Sequence, residues 1–176
     1  NIRWWGGYPG YELQDDSLVP PPEQRPARFI LSWYTHEAGS PTPHPGTLIA
    51  QETVTDFHEA AVGVSMARYG PNSYWYEHIY QYECVLATPW AQTQGGAYFL
   101  QLQAVYDSPD REYDWGWFAS EINYEDPAAQ YWGEADGWAP LMWEQYHRLG
   151  FGPMGLAFEL YTAEPTPTLT PSPSPT

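Results

Sequence analysis

At 176 residues the chain suits one domain with a full core and is too short for two comfortable ones. Twenty-two Asp and Glu face six basic residues, all Arg, for a formal net charge of −16. Without clustered cations, nucleic acid and anionic membrane surfaces are excluded as partners, whereas divalent cations and neutral partners such as glycans remain compatible.

Ile2 to Trp5 reads as the end of a strand closed by the Gly6-Gly7 turn. Gln14 to Pro26, with Pro20, Pro21 and Pro22 in a row, reads as a loop. Arg28 to His36 alternates Phe29, Leu31 and Trp33 with Ile30, Ser32 and Tyr34, the period-two pattern of a strand. Gly39 to Gly46 carries three prolines and is expected to hold no regular structure, and Thr47 to Thr55 reads as the next strand. Ser73 to Leu86 is the longest candidate: Tyr74, Tyr76, His78, Tyr80, Tyr82 and Cys84 share one face. Ala97 to Tyr106 repeats that logic, and Tyr113 to Ser120 follows. Asp126 to Leu149 is irregular and Trp-rich, with at most a short helix near Asp126 to Tyr131. Met154 to Thr162 closes the set, with Met154, Leu156, Phe158 and Leu160 on one apolar face.

Ten Trp, fifteen Tyr and six Phe favour pleated, half-buried surfaces. Seven or eight strands with turn-rich loops between them predict an all-β fold, a β-sandwich of jelly-roll type, with a closed barrel as the alternative. The lone Cys84 cannot form an intrachain disulfide and is expected to be buried. No stretch approaches the roughly 20 apolar residues of a membrane span, so direct membrane insertion is not expected. Asn1, in place of an initiating Met, is what a processed or partial chain would show.

The domain is placed at residues 1–163, and residues 164–176 form a Pro/Thr/Ser-rich stalk or linker. That segment alternates Pro with hydroxyl residues, a composition of extended polyproline II and of O-glycosylated stalks. Its glycosylation candidates are Thr166, Thr168, Thr170, Ser172, Ser174 and Thr176. Such a segment is expected to gain order from a neighbouring subunit or from attached sugar.

Catalytic patterns are mostly missing. His36-Glu37 and His58-Glu59 lack a second His four positions on, so neither makes a zinc-protease helix. Gly63-Val64-Ser65-Met66-Ala67 lacks the last glycine of a nucleophile elbow and its strand-to-helix setting. Candidate carboxylates for glycosidase chemistry, such as Asp114, Glu121 and Glu134, carry little information among twenty-two acids. The chain is therefore read as a non-enzyme with no cofactor. Calcium is left open, with Asp107, Asp110 and Asp114 as the ligand candidates and Glu125, Asp126, Glu134 and Asp136 as a second acidic loop. Trp4, Trp5, Trp115, Trp117, Trp132, Trp138 and Trp143 are candidates for a subunit interface or a sugar-stacking platform.

The order of segments resembles a family of uncharacterised extracellular bacterial domains. The shared elements are a WWGGY or WGSW strand end (here Trp4 to Tyr8) and a strand like Phe29 to Tyr34. They continue with a PG.L turn like Pro45 to Leu48, strands like Ala97 to Ala104 and Tyr113 to Phe118, and a closing strand like Gly155 to Leu160. The resemblance implies a cell-surface or secreted location and no established activity. It also implies an acidic segment and more of the first strand ahead of Trp4, so an incomplete first strand open to strand addition is expected here. The reading that follows is a structural subunit of an extracellular bacterial filament or surface layer, self-associating through strand and tail contacts and O-glycosylated on the tail. The alternative is a carbohydrate-binding module tethered by the stalk.

Overall fold

A computed structural model describes residues 1–37, 44–68, 74–89, 92–94, 96–120, 129–131, 138–140 and 155–160. Every regular element within them is a strand: β1 (Ile2–Gly7), β2 (Arg28–Glu37), β3 (His44–Val54), β4 (His58–Arg68), β5 (Tyr74–Cys84), β6 (Tyr98–Val105), β7 (Gly116–Trp117), β8 (Ala119–Ser120), β9 (Ala129–Tyr131), β10 (Trp138–Pro140), β11 (Gly155–Leu156) and β12 (Phe158–Leu160). They form a β-sandwich of two packed antiparallel sheets. Sheet A has the order β12-β1-β5-β4, with β7 also on β1, and sheet B has the order β3-β2-β6. The small pairs β9-β10 and β8-β11 form separate two-stranded ladders.

Alternation decides which side chains close the core. Ile2 and Trp4 of β1, Phe29, Leu31 and Trp33 of β2, and Tyr80, Tyr82 and Cys84 of β5 are all buried. Trp4 stacks on Tyr82 with centroids 5.5 Å apart and meets Phe29 edge-on at 5.1 Å. Phe29 takes Phe57 and Trp115 edge-on at 5.1 and 5.0 Å. Such pairs add about 0.5–1.5 kcal/mol each beyond the area they bury.

Sheet geometry also fixes which margins coincide. Only residues 55–57 join β3 to β4, a reach of about 10 Å, which matches the roughly 10 Å spacing of packed sheets. The ends of β3 and β4 therefore stack, and strand order puts β6 and β12 at the opposite margin.

Several expectations are corrected. Residues 58–68 carried no strand assignment and form β4, whose register with β5 slips at Val62: Ala61 pairs with Tyr80, and Gly63 with the adjacent Ile79. His44, Pro45 and Gly46, read as irregular, begin β3. Ala129–Tyr131 is strand where a short helix was expected. The two closing segments are each split, at Phe118 and at Ala157, because those residues turn from one partner to another. Phe118 N–H donates to the Trp5 carbonyl and Ala157 N–H to the Phe118 carbonyl. Strand β1 is not an incomplete edge: β5 pairs along one side, and β12 and β7 share the other. The tail at 164–176, with all its glycosylation candidates, lies outside the described residues.

Candidate functional site

Strand β6 reads Tyr-Phe-Leu-Gln-Leu-Gln-Ala-Val, eight residues without a charge. It pairs with β2 in unbroken register from Arg28–Val105 to Thr35–Tyr98. Among the described residues no strand pairs with its other side. The other long outer strands differ. Strand β3 has register shifts near Ile49 and Gly46, and β4 has one at Val62. Such bulges twist an edge away from incoming strands. At the β6 margin, the core-facing side chains of β12 are incompletely covered: Phe158 pairs across from Trp4 and Leu160 from Ile2, yet both remain 41% exposed.

A second feature is polar and lies inside the sandwich. The register opposite Tyr82 turns Glu59 inward, and its side chain is only 6% exposed. Tyr82 Oη donates to Tyr8 Oη at 3.2 Å, and Tyr8 donates to Glu59 Oε1 at 2.9 Å. Arg25 Nη1 donates to Glu59 Oε2 at 3.0 Å. Burial pushes both hydroxyls far above the ordinary tyrosine range, followed for Tyr8 by the Glu59 charge and for Tyr82 by Tyr8. Both phenols stay protonated near neutral pH, so Tyr82 donates to Tyr8 and Tyr8 donates to Glu59. The network ties Tyr8 and Arg25, at the two ends of the β1–β2 loop, to β4. In the same loop, Glu12 has φ of 47°, a costly conformation for a residue with a side chain. Its carbonyl lies 3.1 Å from His78 Nε2, and the Leu13 carbonyl accepts from Tyr76 N–H at 3.0 Å.

A groove of about 170 Å³ lies between β3 and the segment after β5, lined by Trp33, Ala50, Gln51, Glu52 and Ala87 to Pro89. That volume is below the roughly 300 Å³ at which small-molecule sites begin.

A family described as a domain of unknown function (DUF7901) matches residues 1–161. The chain belongs to the DUF7901 family. This DUF7901 match runs from β1 through β12 and stops short of the Pro/Thr/Ser segment. No curated protein and no solved structure matches the chain.

Within the DUF7901 sandwich the tryptophan candidates separate. Trp4 is fully buried in the core and has no surface for a partner or sugar. Trp115 packs on Phe29 and Tyr82. Trp117 is half-buried, with its indole N–H on the Ala157 carbonyl at 2.9 Å and its ring 6.0 Å from Phe158. Trp5 is half-buried on the outer face of sheet A. Trp132 and Trp143 lie outside the described residues, and Trp138 is described only as backbone in β10.

Of the calcium candidates, Asp107 accepts from Arg28 Nη1 at 3.1 Å, Asp114 accepts from Arg111, and the Asp110 N–H donates to Ser108 Oγ at 3.1 Å. Among the described residues no three His, Cys, Asp or Glu side chains gather as a metal site. Every arginine whose side chain is described pairs with a carboxylate: Arg3 with Glu83 and Glu159, Arg25 with Glu59, Arg28 with Asp107, and Arg111 with Asp114. Sequence reading missed the role of Glu59, weighed only in a zinc motif, because its inward orientation depends on the bulge at Val62. The uncharged run of β6 was legible, but its position at a sheet edge was not.

Proposed function

We propose that the chain is a structural, non-catalytic subunit of an extracellular filament or surface layer, with the Pro/Thr/Ser segment as its O-glycosylated stalk. The observation that supports this is the open β6 edge, uncharged and in unbroken register. In a chain with net charge −16, most surfaces of two copies repel, and contact is favoured where carboxylates are absent. A flat, uncharged edge is also the feature that monomeric β-proteins blunt with charges, prolines or bulges. Here β3 and β4 carry bulges and β6 does not.

The test is light scattering and negative-stain electron microscopy of the full chain over a wide concentration range. Ordered assemblies that grow with concentration are the expected outcome. A strictly monomeric chain that binds polysaccharide on a glycan array would replace this reading with the tethered glycan-binding module.

A further inference from the structure

We infer that β6 pairs antiparallel with β6 of a second copy across a twofold axis, joining two three-stranded B sheets into one continuous sheet. The inference rests on the self-assembling reading above and names its contact. Antiparallel pairing of a strand with itself needs one surface only, because a twofold presents the same patch from both partners. That surface must offer free backbone groups, a regular register and no charge, since like charges meeting across a twofold oppose each other directly.

Among the described long outer strands, β6 from Phe99 to Val105 alone combines a side that no described strand pairs, an unbroken register and no charge. Strand β3 carries Glu52 beside its bulges, and β4, uncharged from Ala60 to Ala67, is interrupted at Val62. The margin supplies apolar contact as well. Phe158 and Leu160 remain partly exposed at the side of the sandwich where sheet B ends, and an added strand beside β6 would lie over that side. The occupant is a second copy of this chain because an acidic partner strand would find no cation here: Arg28, at the end of β6, already holds Asp107. A twofold closes on itself, so the pair is a building unit, and growth beyond it uses a different surface.

The experiment compares the full chain with Gln103→Lys, an exposed β6 position, and with Met66→Lys, an exposed position on β4. Sedimentation equilibrium gives the dimer constant, and hydrogen exchange at low and high concentration gives amide protection for Phe99–Val105. The expectation is a dimer whose formation protects those amides, weakened at least about tenfold by Gln103→Lys and unchanged by Met66→Lys. Gln103→Glu, adding the other sign, weakens it likewise. If the chain associates but Gln103→Lys does so equally well, or β6 amides gain no protection, the β6 pairing is wrong while self-assembly stands. A monomer at every concentration overturns both.

Discussion

A β-carbon at Gly6 would collide with the Trp115 indole, and one at Gly7 would come 2.7 Å from the His78 carbonyl and the Phe118 ring. These glycines are close-approach positions within a strand rather than the turn that their pairing suggests in the sequence. Gly6→Ala is expected to destabilise the fold by about 1–3 kcal/mol through forced displacement of Trp115, read as a lower urea midpoint at unchanged slope. Glu59 makes a different argument. Glu59→Gln keeps an acceptor for Tyr8 but can turn its NH₂ toward Arg25, setting donor against donor, with an expected cost of about 1–3 kcal/mol. Arg25→Ala leaves the carboxylate enclosed without its cation. The double variant should therefore cost less than the two singles added, and strict additivity in a double-mutant cycle would show that the pair does not interact.

Strands whose alternation is unbroken were legible: β2, β5 and β6 fall almost where their patterns place them, and His78, Tyr80, Tyr82 and Cys84 share one face as read, a face that the structure buries. Strand β4 was hidden because the extra residue Val62 shifts its phase. Glu59 and Ala61 share the face of Tyr82 and Tyr80 before the bulge, and Val64 and Met66 share the face of His78 and Tyr76 after it, so no single period-two pattern spans His58–Arg68. Deleting Val62 would leave Ala61 opposite Tyr80 and Gly63 opposite Ile79 while straightening the strand. The fold is expected to survive, and the new flat edge to raise self-association in sedimentation velocity, since bulges protect edges. An unfolded variant would show instead that the bulge is required for Glu59 to reach Tyr8. The split closing strands were illegible for another reason: Phe118 and Ala157 exchange hydrogen bonds across three segments, a junction that no local pattern records.

At the scale of the whole molecule, the sandwich combines an acidic exterior with a core of protonated phenols and one thiol. Burial, then the Glu52 charge, pushes Cys84 up to about 11, and burial raises Tyr8, Tyr80 and Tyr82 well above the ordinary tyrosine value. In the unfolded chain the same groups lose their protons at about pH 8.5–10. Above that range the unfolded state binds fewer protons than the folded one, so stability falls as pH rises. Their contribution is fully present below about pH 8.5 and is lost progressively on the alkaline side as the folded groups are forced to ionise. The melting temperature is expected to hold steady from about pH 7 to 8.5 and then decline steeply, with tyrosinate absorbance appearing together with unfolding rather than before it. Tyr80→Phe, which removes one raised phenol and only a 3.3 Å bond to the Pro20 carbonyl, should flatten that decline. A melting temperature indifferent to pH up to about 11, or tyrosines ionising within an intact fold, would mean that the core is open to water and that the packing of Trp4, Phe29 and Tyr82 does not exclude it.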